Sequence, residues 1–212
     1  MPRRKRIFGN GEYYHIFNRS LGRVPIFKKK RISNQFLKSL EYYLQINPAI
    51  RYSVFKKLKR IEITPPYLVS VNTFSLMPNH LHFLLKQKYN DGLTTFMRRL
   101  TNSFSHYFNI KNSRRGPLFE NRFKAVHIEA EEQLLHVNRY IHLNSTSAYL
   151  AEDPYDYYYC SYRDYVVKSR FSWLDTSTIM GFFRSKNEYK KFVLDNKDYQ
   201  RSLNTIKHLM LE

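Results

Sequence analysis

Acidic residues are scarce in this chain: 17 Asp and Glu stand against 36 Lys and Arg, a formal net charge of +19. The cations run from "PRRKR" at the start to "KKFVLDNKDYQR" near the end, so the imbalance belongs to the whole chain and not to one tail. A surface this basic predicts a polyanionic partner, and nucleic acid is the first candidate. Cysteine is nearly absent. The single Cys160 excludes an intrachain disulfide and any zinc site built from cysteines, and with it classical zinc fingers and Cys-rich deaminases. No apolar run approaches the ~18 residues of a membrane span, and the N-terminal "MPRRKRIFGNGEYYHIF" lacks the apolar stretch of a signal peptide. A cytoplasmic location with no membrane partner is the expectation. Internal repeats and low-complexity linkers are missing too.

Aromatic residues, by contrast, are plentiful, with 18 Tyr and 16 Phe. Most belong in a core, and the remainder offer stacking surfaces for unpaired bases. A length of 212 residues allows one sizeable domain with an appendage. The alternation in "EYYHIFNR" (12–19) predicts a strand, and the apolar stripe in "NQFLKSLEYYLQI" (34–46) predicts a helix ending before Pro48. The segment "RIEITPPYLVSVNTFSLM" (60–77) breaks at Pro65-Pro66 and resumes as a β-branched strand. A tight turn at Pro78-Asn79 then leads into an antiparallel neighbour, "HLHFLLKQ" (80–87). Residues 91–112 form a helix with Leu93, Phe96, Met97, Leu100, Phe104, Tyr107 and Phe108 on one face. A strand at 123–130 and a helix at 131–150 follow. The order predicts an α+β fold: an antiparallel sheet with helices on one face. Residues 1–150 form the main domain, and the Tyr-rich, polar residues 151–212 a small helical C-terminal extension.

Side chains at i and i+2 of a strand share a face, so His80 and His82 project together while Leu81 and Phe83 turn to the core. Two neutral imidazoles side by side can hold one divalent cation, though such a pair also occurs for structural reasons alone. A metal beside nucleic acid suggests phosphoryl transfer, and a tyrosine hydroxyl is a competent nucleophile for a phosphodiester. Tyr107 is the candidate, with Asn102, Ser105, His106 and Asn109 around it; the competing reading is a core ring on the apolar stripe. "RRGPLFENRFKAVHI" (114–128) reads as a phosphate-gripping loop with Arg114, Arg115, Arg122 and Lys124 as contacts, or as a solvated basic loop. Arg19, Arg98 and Arg99 join these as candidate DNA contacts. His15 has no partner visible in the sequence. The polar run at Asn138, Arg139 and His142 is explained by capping and surface polarity.

The segments "YYHIFNRS", "SLMPNHLHFLL", "FMRRLTNSFSHYFN", "GPLFENRFK" and "LLHVNRYIHLN" share the order and spacing of the single-tyrosine HUH transposases. The chain most resembles the REP-associated tyrosine transposase branch, from about residue 11 to residue 194, including a C-terminal "SWLDTSTIMGFF…EYKKFV". The resemblance implies a ferredoxin-like or RRM-like core that nicks and rejoins hairpin-bearing single-stranded DNA. It implies that His80 and His82 bind Mg²⁺ or Mn²⁺, and that the helix tyrosine, matched to Tyr107, forms a 5′-phosphotyrosine link. A monomer or a homodimer is consistent with it. Phe104 stands where the branch often carries a second tyrosine, Lys111 stands at the position of a third metal ligand, and "HLNS" (142–145) replaces "HLNP". Two other functions compete. One is a non-catalytic, domesticated binder of single-stranded nucleic acid. The other is a hydrolase that uses water and carboxylate ligands, for which Asp91 and Glu129 are the nearest candidates.

Overall fold

Alternation along the strands decides how the layers of this protein stack. The computed structural model describes residues 8–48, 50, 52–58 and 63–202. In chain order the main elements are β1 (Tyr13–Arg19), α1 (Lys30–Tyr43), α2 (Tyr52–Phe55), β2 (Val69–Met77), β3 (His80–Gln87), α3 (Gly92–Lys111), β4 (Lys124–Ile128) and α4 (Glu131–Ser147). The first part of the expected segment 60–77, Arg60 to Glu62, lies outside the described residues. The strands form one four-stranded antiparallel sheet in the order β2-β3-β1-β4, the ferredoxin-like arrangement.

On one face, Ile16 of β1, Phe74 of β2 and Leu81, Phe83 and Leu85 of β3 point into a core closed by α1 and α3. Aromatic packing sets the distances there: Phe36 meets Phe104 edge-on at 4.9 Å, and Phe27 stacks on Phe104 at 5.3 Å. Phe104 is thus a core ring. Gly92 starts α3 where the helix presses on the strand entry, because a Cβ at that position would lie 2.5 Å from the Leu68 carbonyl oxygen.

Helix α4 packs on the other face, an arrangement the order of elements does not disclose. It joins Leu84 and Ile128 from the sheet to Tyr162, Tyr165, Tyr189 and Val193 from the chain beyond residue 151. That extension carries α5 (Tyr162–Val166), α6 (Ser177–Met180) and α7 (Lys186–Leu194). Its backbone also bridges to the outer edge of β2, Ser75 with Cys160 and Val71 with Leu174, which shields an edge otherwise open to pairing. All nine residues of β2 are therefore buried. Residues 203–212, the end of the expected extension, lie outside the described residues.

A buried polar chain fastens α4 to this extension. His142 Nδ1 pairs with the Tyr189 hydroxyl at 2.5 Å, and His142 Nε2 pairs with Ser161 Oγ at 2.8 Å. Tyr189 donates in turn to Asn138 Oδ1 at 2.7 Å, and Asn138 Nδ2 donates to Thr73 Oγ1 at 2.7 Å. Such a network fixes one packing of the helix, because slipping it strands several buried polar groups at once. Asn138 and His142 do structural work inside the protein, and neither serves as a surface cap.

Candidate active site

The two-residue turn at Pro78-Asn79 fixes where β3 begins. Ser20 N–H donates to the Asn79 carbonyl at 2.8 Å and Phe27 N–H to the Pro78 carbonyl at 2.9 Å, so the turn is held from both sides. With Leu81, Phe83 and Leu85 committed to the α1/α3 core, His80 and His82 face the α4 side. Register then brings three residues of β1 to the same face. Arg19 stands opposite His80, Phe17 opposite His82, and His15 one step along, opposite Leu84. Lys124 of β4 pairs with Phe17 from the far side.

The two histidine rings meet edge-on with centroids 5.1 Å apart. His80 Nδ1 lies 2.6 Å from Asn79 Oδ1, and His82 Nδ1 lies 2.9 Å from His15 Nε2. An amide oxygen only accepts, so His80 carries its proton on Nδ1 and leaves Nε2 bare. His82 reaches the same state when its Nδ1–H donates to His15 Nε2. Burial pushes the His80 and His15 imidazoles down to about 4, with Arg19 adding to the effect at His80. His82 is only 7% exposed and is held well below the usual histidine range by burial, His15, His80 and Arg19. All three rings are therefore neutral near pH 7, the form that ligates metals.

From α4, Tyr140 reaches down onto this cluster. Its ring packs edge-on at 5.8 Å from His82 and 5.9 Å from His15. Burial raises the Tyr140 hydroxyl, and Arg19 opposes that rise by favouring the phenolate. Asn144 lies one helical turn further on α4, on the same side as Tyr140. Its amide nitrogen is buried with no hydrogen-bond partner among the described residues.

Beside the histidines a cavity of about 140 Å³ is lined by Phe17, Asn18, Arg19, His80, His82, Glu120, Asn121 and Lys124. Asn18 Nδ2 donates to the carbonyls of Asn121 and Arg122, which sets this wall of the cavity. Of the acidic residues, Glu120 lines the cavity, whereas Asp91 precedes α3 and Glu129 sits near His127. Among the described residues no three His, Cys, Asp or Glu side chains are grouped to hold a metal. The donor set consists of two imidazoles, which suits Mn²⁺ better than Mg²⁺. A buried amide with an unused polar atom is the kind of group that can complete such a set, and Asn144, one turn beyond Tyr140, carries one. The residues fit a divalent cation that takes its remaining ligands from water and substrate.

The structure does not bring Tyr107 to the histidines. Tyr107 packs against the core formed by Phe36, Phe83 and Phe104, on the face of the sheet opposite His80 and His82. Lys111, at the expected position of a third ligand, shares a separate cleft with Tyr107. The reason is parity: α3 covers the apolar side of β3, and the histidines point away from it. Of the other cations singled out, Arg19 and Lys124 stand at the site. Arg98, Arg115 and Arg122 are exposed. Arg99 is bound to the carbonyls of Gln45 and Ile46, and Arg114 braces its own loop through Asn109, Gly116 and Pro117. The residues missed from the sequence are His15, Glu120, Tyr140 and Asn144. "RYIHLN" (139–144), with a tyrosine and an amide one turn apart on one helix, carried the available signal for the last two.

A family model described as "Transposase IS200 like" matches residues 10–144. A solved structure, that of a REP-associated tyrosine transposase bound to a REP hairpin, aligns with a TM-score of 0.56 at 15% identity. The alignment covers 82% of this chain and 98% of that one. Comparison with curated proteins gives no match.

Proposed function

Because the chain belongs to the IS200-like transposase family, we propose that it nicks and rejoins single-stranded DNA beside a hairpin, with Tyr140 as the nucleophile. The observation that carries this reading is the approach of the Tyr140 ring to His82 on the one face of the sheet that also presents His80, His15 and Arg19. A phosphodiester bound between Arg19 and Lys124 would lie over this cluster, its charge matched by the two cations.

The Tyr140 oxygen attacks the phosphorus, and the bond from phosphorus to the 3′ oxygen breaks. A 5′-phosphotyrosine link forms, and the phenolic proton ends on the released 3′ hydroxyl. Attack by another 3′ hydroxyl on the same link reverses the step and joins strands. Arg19 favours the phenolate and stabilises negative charge as it grows on the phosphate. His80 and His82 would hold a divalent cation through their bare Nε2 atoms, with the Asn144 amide oxygen as a further ligand. When bound, the cation polarises the scissile phosphate. His15 keeps the His82 ring in the ligating tautomer, and the buried network on α4 keeps Tyr140 over the site. The match to a hairpin-bound REP-associated transposase supports hairpin DNA as the substrate class.

The test is denaturing electrophoresis after incubation with a hairpin-bearing oligonucleotide and Mn²⁺. The parent and Tyr107→Phe should both form a covalent adduct, and Tyr140→Phe should form none. Adduct formation by Tyr140→Phe at the parent rate would overturn the assignment.

A further inference from the structure

The opposite face of the protein carries a larger cleft that the catalytic reading does not use. Its volume is about 540 Å³, and it lies between α1, α2 and α3. Three tyrosine rings, Tyr43, Tyr52 and Tyr107, line it together with the cations Lys56, Arg99 and Lys111. Among the described residues no carboxylate lines it. Lys56 Nζ lies 5.8 Å from the centre of the Tyr107 ring, and Tyr43 and Tyr52 lie 6.0 Å apart at a 47° tilt. Tyr52 is buried, with its hydroxyl taken by Gln35 Nε2 at 2.8 Å, so what it offers the cleft is ring surface. The Arg99 guanidinium is fixed by the Gln45 and Ile46 carbonyls and supplies positive field. Lys56 and Lys111 are both exposed.

Recessed rings beneath a rim of exposed lysines match a group with one flat aromatic part and one anionic part. We propose that this cleft is a second nucleic-acid site, which holds an unpaired nucleotide of single-stranded DNA. The base lies against Tyr107 and the neighbouring tyrosines, and its phosphate lies between Lys56 and Lys111. A base stacked in a duplex cannot enter a recess of this kind, whereas a splayed base of a single strand can. The site gives Tyr107 and Lys111 a role that the histidine face does not. The proposal rests on the nucleic-acid reading above, but not on the choice of nucleophile.

The test is equilibrium binding of a fluorescein-labelled oligo(dT), followed by anisotropy over a range of salt. It uses Tyr140→Phe protein in metal-free buffer, so that no chemistry contributes. Tyr107→Ala should weaken binding by about 5- to 160-fold, the loss expected for one base–aromatic stack, and Tyr107→Phe should retain most of the affinity. Lys56→Ala/Lys111→Ala should lower the slope of log affinity against log salt by about 0.7 for each lysine. Both lysines are exposed, so this variant keeps its fold and decides the matter even where Tyr107→Ala unfolds. Parent affinity and slope in the lysine variant overturn the proposal. So does an equal loss on a blunt duplex of the same composition, which marks a general basic surface.

Discussion

Replacing His15 with Phe removes one nitrogen and little else. A phenyl ring keeps the packing on Phe17 and His82, whose centroids lie 5.1 and 5.2 Å from His15. What disappears is the 2.9 Å partner of His82 Nδ1. The His82 ring is buried, so its Nδ1–H is then either left unpaired or moved to Nε2, where it blocks ligation. Loss of a group that orients a metal-bound histidine weakens metal binding by about 10- to 100-fold, or about 1.4–2.8 kcal/mol. An unsatisfied buried donor also costs about 1–3 kcal/mol of stability, which for a chain of this size lowers Tm by about 2–12 °C. Isothermal titration with Mn²⁺ reads the first effect, and metal-free thermal unfolding reads the second. His15→Gln, whose amide oxygen can accept from Nδ1–H, should recover part of the affinity. Parent Mn²⁺ affinity in His15→Phe would refute the reasoning, because the His15–His82 pair would then play no part in holding the ligand.

The network beneath α4 makes a separate prediction. Tyr189→Phe leaves His142 Nδ1 and Asn138 Oδ1 without their partner and should cost about 1–3 kcal/mol in denaturant unfolding, where an unchanged midpoint would contradict the role given to it. His142 is fully buried and pushed down to about 3, below its ordinary value of 6.5. The unfolded chain therefore takes up a proton that the folded one refuses. The contribution is complete above about pH 6.5 and is lost as pH falls toward 3, an effect of a few kcal/mol. A Tm that stays flat from neutral pH down to pH 4 speaks against it. Arg114→Ala should lower stability by about 1 kcal/mol, through the three acceptors it braces. Arg122→Ala should leave Tm unchanged, weaken DNA binding and lower its salt dependence. Equal behaviour of the two variants would remove the distinction.

What could be read from the residues was what short-range alternation determines. The strand parity of "HLHFLL" placed His80 and His82 on one face, and the apolar stripes placed α1 and α3 against the other. The same parity argues against Tyr107. A helix whose stripe covers Leu81, Phe83 and Leu85 cannot also reach histidines that point the other way. Tyr140 escaped because the site depends on where α4 crosses the sheet. That crossing is set by contacts with a C-terminal extension, through Ser161 and Tyr189, 19 and 47 residues beyond His142. His15 escaped for a related reason: its partner lies 67 residues along the chain and becomes a neighbour only through the β1–β3 register. Glu120 reaches the cavity on a loop whose course depends on Asn18. Local pattern reveals faces, and long-range register decides which faces meet.

Attack of Tyr140 on the DNA is the proposed step on which the mechanism depends. Its most direct test is tandem mass spectrometry of the peptide–nucleotide adduct trapped with a hairpin-bearing oligonucleotide and Mn²⁺. The nucleotide is expected on the peptide containing "NRYIHLN", with the phosphate on the Tyr140 oxygen. A phosphate carried by Tyr107, or by any other side chain, would contradict it.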